Sequence, residues 1–157
     1  MAESRQVMLN TDLPAVIAIE QAANQFPWSA QNFRDCLQSG YQNYVWRQRA
    51  QIVGFSITQT VLDELHILNI CVSPAHQGNG IGRCLLEAII AQAAEQSATL
   101  IVLEVRASNQ RAQQLYFSCG FNEMATRRNY YPTQHGREDA LLLGLSLSLR
   151  EEGWFNG

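Results

Sequence analysis

The strongest claim on chemistry comes from Gln77-Gly78-Asn79-Gly80-Ile81-Gly82-Arg83, where alternate glycines stand between an apolar run and an amphipathic one. Glycine permits positive φ and puts no Cβ between backbone and ligand. The first N–H groups of a helix have no internal partner and lie at its positive dipole end. A strand, these glycines and a helix start together make a cradle for phosphate or pyrophosphate, to which Arg83 adds a charge-assisted contact. A Walker loop needs Gly-Lys-Ser/Thr, but Gly82 is followed by Arg83-Cys84; a dinucleotide fingerprint needs a further glycine where Leu85 stands. The loop predicts a phosphate-bearing ligand other than NAD or ATP, against the plainer alternative of a flexible turn.

Two further residues fit acid–base work. In Leu100-Ile101-Val102-Leu103-Glu104-Val105, period two places Leu100, Val102 and Glu104 on one face. A carboxylate ending such a strand either reaches solvent or serves as a general base. Tyr116 falls on the helical stripe Ala112, Leu115, Tyr116, Cys119. It is either a core tyrosine or a phenol able to protonate a departing thiolate, as thioester acyl transfer requires. Asn109 can cap its helix or touch a ligand. Cys71 is the cysteine nearest this chemistry, but no histidine base is paired with it in the sequence, so direct transfer is expected over an acyl-cysteine. His66, His76 and His135 have no metal-site spacing, and no metal is expected.

These residues need elements to hold them. Val7 to Leu9 reads as a short strand. Thr11-Asp12-Leu13-Pro14 is a helix start with a capping side chain and a proline in the first turn, and that helix fades by Asn24. Phe26-Pro27-Trp28 breaks the chain, and Ser29 caps a second helix to about Leu37. Tyr41–Arg47 and Ile52–Thr60 read as a hairpin. Leu65–Val72 is apolar enough to be a strand buried on both faces. From Gly80 a helix carries Ile81, Leu85 and Ile89, with Cys84 and Ala88 beside them. Leu100–Val105 is a strand, Asn109–Cys119 a helix ended by Gly120, and Phe121–Asn129 and Ala140–Leu147 close the sheet. The order predicts an α/β (α+β) fold: a mixed, mostly antiparallel sheet of about seven strands flanked by about four helices. One domain over 1–157 is expected, with 148–157 a possible C-terminal tail.

Composition sets the boundaries. The 157 residues include 46% hydrophobic and 16% charged positions, which excludes a disordered or fibrous chain. The formal net charge is −3, so direct nucleic-acid binding through phosphates is not expected. No apolar run approaches a membrane span, and the start lacks a signal-peptide core. Cys36, Cys71, Cys84 and Cys119 are scattered without a CxxC pair. The chain reads as a soluble cytoplasmic protein, with a monomer favoured.

Gln77-Gly78-Asn79-Gly80-Ile81-Gly82 resembles the Q/R-x-x-G-x-G/A signature of the GCN5-related N-acetyltransferase (GNAT) superfamily. Phe26-Pro27-Trp28-Ser29, Leu103 to Asn109, Leu115-Tyr116 with Gly120-Phe121, Arg127 to Pro132 and Gly136 to Ala140 are similar to the bacterial RimI family within it. That resemblance runs from about Asp12 to Leu147. It implies the GNAT fold, acetyl-CoA as donor, and the N-terminal alanine of small-subunit ribosomal protein eighteen as acceptor. It further implies that Ile70, Cys71 and Val72 carry the acetyl and pantetheine portion. Gly78, Asn79, Gly80, Ile81, Gly82 and Arg83 would bind the pyrophosphate, and Asn109 would touch the coenzyme. Glu104 would accept the proton and Tyr116 donate one. Tyr130 and Tyr131 would line the peptide groove, unless they only pack on the surface before Pro132. His66 and Cys71 depart from the small or aliphatic residues expected there. A lysine acceptor, a broader range of N-termini, or a non-catalytic acyl-CoA sensor are the competing readings.

Overall fold

The computed structural model describes residues 3–147; the tail at 148–157 lies outside them. Seven strands and four α-helices follow the order β1 Glu3–Val7, α1 Leu13–Ala23, α2 Ala30–Asp35, β2 Tyr41–Gln48, β3 Gln51–Val61, β4 Glu64–Val72, α3 Ile81–Glu95, β5 Leu100–Arg106, α4 Gln110–Ser118, β6 Asn122–Thr133 and β7 Gly136–Ser146. The sheet order is β1-β2-β3-β4-β5-β7-β6. Its β4–β5 pair is parallel, from Glu64↔Leu100 to Ile67↔Leu103, while β1–β2, β2–β3, β5–β7 and β6–β7 are antiparallel. The mixed, mostly antiparallel sheet is therefore as expected.

Two compact units form. The first holds the chain to Thr60 together with Leu68–Ala88; the second holds Val61–Ile67 and the chain from Ile89 onward. In the first, Val16 and Ile19 of α1 and Phe33 of α2 close over Val45, Phe55, Ile57 and Cys71. On the opposite face Val53, Ile81 and Leu85 form a smaller core with Trp46, Ile70 and Val72 packed on it. In the second unit Tyr116 of α4 meets Phe121 edge-on with ring centroids 5.8 Å apart, and Ile101, Leu143 and Phe121 are buried. None of the described helices is long and apolar enough to cross a membrane.

Several local expectations change. The first strand runs Glu3–Val7, and Asn10–Asp12 forms a 3-10 turn instead. Asp12 does not cap α1 through its side chain. Its Oδ2 accepts the Leu9 N–H at 2.8 Å and its Oδ1 pairs with Arg47 Nη2 at 2.8 Å. Ser29 does cap α2, accepting the Asn32 N–H at 3.1 Å. Strand β4 buries Leu65, Ile67 and Cys71, while Leu68 is exposed and the others are half-buried, so it is covered less fully than its apolar run implied. On α3 the buried stripe is Ile81, Leu85, Leu86, Ile89 and Ala93; Cys84 faces solvent.

Candidate active site

The glycine loop belongs to the first unit. After β4, Pro74–His76 makes one 3-10 turn, and Gln77 Nε2 donates back to the Val72 carbonyl at 3.1 Å. Gly78 and Gly80 then take φ of 84° and 82°, the left-handed region that only glycine enters cheaply. A Cβ placed on Gly80 would meet nothing within 4 Å, so the space beside this backbone is open. Helix α3 starts at Ile81, and the Cys84 N–H donates to the Gly80 carbonyl at 3.0 Å. Its opening amides have no intrahelical acceptor and carry the positive end of the helix dipole. Ile81, buried beside Val53 and Leu85, fixes that opening on the core. Open space, left-handed glycines and a positive helix end fit a diphosphate.

Strand β4 leads into this loop with its two faces in different surroundings. Ile70 and Val72 pack toward Ile81 and Leu85, while Cys71 lies in the core under α1 and α2. A Cβ on Gly54 would come within 3.1 Å of the Cys71 carbonyl oxygen, and the Ser73 N–H donates to the Val53 carbonyl at 2.8 Å. Backbone groups of successive strand residues alternate in direction, so the Val72 N–H points away from β3. Burial, with the charge of Glu20 second, pushes the Cys71 thiol up to about 12.

The carboxylate cluster belongs to the second unit. Glu104 sits in β5 opposite Leu142 of β7. Its Oε1 pairs with Arg127 Nε at 3.2 Å, whereas its Oε2 is buried and accepts no hydrogen bond among the described residues. A bulge in β6 brings the neighbours in. Arg127 pairs with Ala140 and the next registered pair is Tyr131 with Glu138, so β6 runs two residues longer than β7 there. Asn129 takes φ of 52° within the bulge, and its N–H donates to Asp139 Oδ1 at 3.0 Å. The Tyr130 phenol is raised above its ordinary value by the negative charge of Glu104 and then by burial. Tyr131 is pushed up to about 12 by burial and, next, by Glu104. The two rings meet edge-on at 4.9 Å. The Arg106 guanidinium lies 4.4 Å from the Tyr131 ring centre and 3.4 Å from Glu138 Oε2. Glu138 also accepts the Ser108 N–H at 3.0 Å; hydrogen bonding from Ser108, and then from Arg106, holds its carboxyl below the ordinary carboxylate value.

Helix α4 holds the other two candidates of this unit. Asn109 is its N-cap, accepting the Ala112 N–H at 3.2 Å. Tyr116 is 6% exposed, its ring against Phe121. The structure thus gathers Glu104, Tyr130 and Tyr131 into one cluster, and Ile70 and Val72 against the first residue of α3. Residue-by-residue reasoning missed Arg127, Arg106 and Glu138 as partners of that cluster. The signal available for them was Asn129, a residue type that tolerates positive φ, set inside an arginine- and tyrosine-rich strand.

The sequence profile of the Acetyltransferase (GNAT) family matches residues 13–121. The chain is 48% identical over 139 residues to the ribosomal protein bS18-alanine N-acetyltransferase of Escherichia coli (strain K12), covering 88% of this chain and 94% of that one. A crystal structure of the ribosomal-protein-S18-alanine N-acetyltransferase from Escherichia coli superposes with TM-score 0.89 at 45% identity, covering 92% of this chain and 94% of the other. A putative acetyltransferase from Salmonella typhimurium, solved with its cofactor acetyl-CoA, shares the fold with TM-score 0.77 at 21% identity, over 94% of this chain and 95% of its own.

Proposed function

We propose, from the premise that this chain belongs to the acetyltransferase (GNAT) family, that it acetylates the N-terminal alanine of ribosomal protein bS18 in the cytoplasm, with acetyl-CoA as donor. Acetyl-CoA, when bound, supplies an acetyl group activated as a thioester. The amides and glycines from Gly78 to Arg83 would hold its diphosphate, and the backbone of β4 at Ile70, Cys71 and Val72 would run along its acyl end, with Asn109 as a further contact. The Val72 N–H, directed away from β3, donates to the thioester carbonyl and strengthens its polarisation. Glu104 takes the proton from the acceptor ammonium, directly or through one water, and Tyr116 returns a proton to the leaving sulfur. Tyr130 and Tyr131 border the acceptor.

The observation that carries this reading is the divided Glu104 carboxylate. One oxygen is held by Arg127 at 3.2 Å, the other is buried with no partner at ordinary hydrogen-bond distance, and the Tyr130 phenol lies close enough to be raised by the carboxylate's charge and hydrogen bonding. An incoming ammonium or water can fill this carboxylate's remaining acceptor capacity. Acceptor choice follows from proton affinity. An α-amino group near pKa 7.7–8.0 against about 10.4 for lysine is easier to deprotonate by roughly 3.4 kcal/mol, which suits a site with one carboxylate base. A covalent route through Cys71 is disfavoured, because only a thiolate is nucleophilic and this thiol is pushed up to about 12. Incubation with acetyl-CoA and peptides beginning with Ala, Ser or Met, or with a blocked terminus and an internal Lys, tests the reading by mass spectrometry. Rapid acetylation of the Ala peptide of bS18 sequence is expected. Preferential modification of the blocked, lysine-bearing peptide would overturn it.

A further inference from the structure

Helix α1 buries Leu13 and Val16, and the same stripe continues to Glu20, which is 2% exposed. Periodicity predicts an apolar side chain there. The carboxylate has no cation partner among the described residues and is satisfied by neutral donors from the end of its own helix, the turn after it and β4. Oε1 accepts from Asn24 Nδ2 at 2.8 Å and from Asn69 Nδ2 at 3.1 Å, and Oε2 accepts the Trp28 N–H at 2.9 Å. Asn24 and Trp28 lie where α1 gives way to α2, with the Trp28 ring 5.3 Å from Phe33. Asn69 lies on β4, immediately before Ile70. A buried charge is a poor choice for stability alone, since an apolar residue of similar volume usually does as well or better. What a carboxylate provides here is a multi-point acceptor joining the end of α1 and the turn after it to Asn69 of β4.

We propose that Glu20 is a positioning residue for acyl transfer, its buried carboxylate tying Asn69 of β4 to Asn24 and the Trp28 amide and so fixing the strand through Ile70–Val72. The proposal rests on the reading of Ile70–Val72 as the strand that carries the acyl end. With the Glu20 tie in place, β4 cannot slide or twist beyond Asn69 without breaking a hydrogen bond to a buried carboxylate, and the Val72 N–H keeps its aim. The groups Glu20 orders are backbone atoms, so its loss should appear in turnover and not in the grip on the diphosphate.

The test compares Glu20→Gln, Asn69→Ala and the double variant Glu20→Gln/Asn69→Asp. Glutamine is nearly isosteric, so the packing of α1 should persist, while its single oxygen cannot accept from Asn24, Trp28 and Asn69 together. In Glu20→Gln, kcat with the Ala peptide should fall about 10- to 100-fold, the usual result of a small misplacement, with acetyl-CoA affinity unchanged. Backbone amide exchange should rise at Trp28 and Asn69–Val72 and stay constant along α3. The double variant, which returns a carboxylate to the same cluster from the strand side, should recover most of the turnover. Asn69→Ala cuts only the β4 end and should show the same loss even if Glu20→Gln is poorly folded. Unchanged kcat in Asn69→Ala, or a loss in Glu20→Gln that tracks melting temperature and is not rescued, overturns the proposal. Protection of Ile70–Val72 by acetyl-CoA in the unaltered protein judges the strand's role separately. Its absence removes that reading, whereas protection alongside an unimpaired Asn69→Ala removes only the role of Glu20.

Discussion

In the glycine loop the polar atoms offered to a ligand belong to the backbone, whereas around Glu104 they belong to side chains. The loop depends on φ values of 84° and 82° at Gly78 and Gly80 and on the start of α3; no titratable group is needed. The Glu104 cluster is the reverse. It is assembled from Arg127, Tyr130, Tyr131, Arg106 and Glu138, where the charge of Glu104 raises both phenols and hydrogen bonding lowers the Glu138 carboxyl. A site of backbone amides binds with little dependence on pH and fails when the chain cannot adopt its conformation. A site of coupled side chains performs proton transfer and fails when one charge is removed.

The largest effect expected from this contrast is at Glu104. Glu104→Gln keeps the shape but cannot accept a proton, and turnover should drop about 10²- to 10⁴-fold while calorimetry shows normal acetyl-CoA binding. Tyr116→Phe should follow with a smaller loss of turnover and the same affinity. If Glu104→Gln instead weakened acetyl-CoA binding and left turnover intact, the division of labour between the two regions would be wrong. The reciprocal variant is Gly80→Val. A Cβ there meets nothing within 4 Å, so crowding is not the cause of harm. The branched side chain would resist φ of 82°, and strain of about 1–3 kcal/mol should weaken acetyl-CoA binding about 5- to 150-fold. Saturating acetyl-CoA should restore near-normal kcat, because the groups proposed for proton transfer are untouched.

The two regions also differed in how well the sequence announced them. The loop was readable because a backbone site has a local signature: alternate glycines, an apolar strand before and an amphipathic helix after. The order of elements was readable for the same reason, since period and punctuation are local. Glu104 was visible as an acid in an apolar strand, but its partners were not. Arg127 lies 23 residues away in sequence (127 − 104) and reaches Glu104 only through the register shift between Arg127 and Tyr131, which no spacing rule predicts. Asp12 misled for a related reason. Its type and place before Leu13-Pro14 suit a helix cap, yet Arg47, brought beside it by tertiary structure, and the Leu9 N–H claim its oxygens. Glu20 was invisible because buried carboxylates are read from partners, and Asn69 is far along the chain.

The smallest effect concerns stability at high pH and sets the buried Cys71 of one unit against the half-buried Tyr131 of the other. Cys71 and Tyr131 are both pushed up to about 12, each by burial first; Glu20 is the second cause for Cys71 and Glu104 for Tyr131. All eleven basic side chains are arginines and there is no lysine, so above pH 9 the titrating side chains are cysteines and tyrosines. The unfolded chain gives up the Cys71 proton near its ordinary value of 9.0 and the Tyr131 proton near 10.0. The native protein holds both until about pH 12. Over that interval the native state binds more protons than the unfolded one, so stability falls as pH rises, by up to about 1.4 kcal/mol per pH unit for Cys71 and by less for Tyr131, whose partial exposure lets solvent screen it. Cys71→Ala should be less stable at pH 8 because of the cavity, yet its urea midpoint should decline less steeply from pH 9 upward. Tyr131→Phe should flatten the decline only from pH 10. Parallel slopes in both variants and the unaltered protein would mean that neither group keeps its proton through burial. The contrast between the units would then rest on Glu104 and the glycines alone.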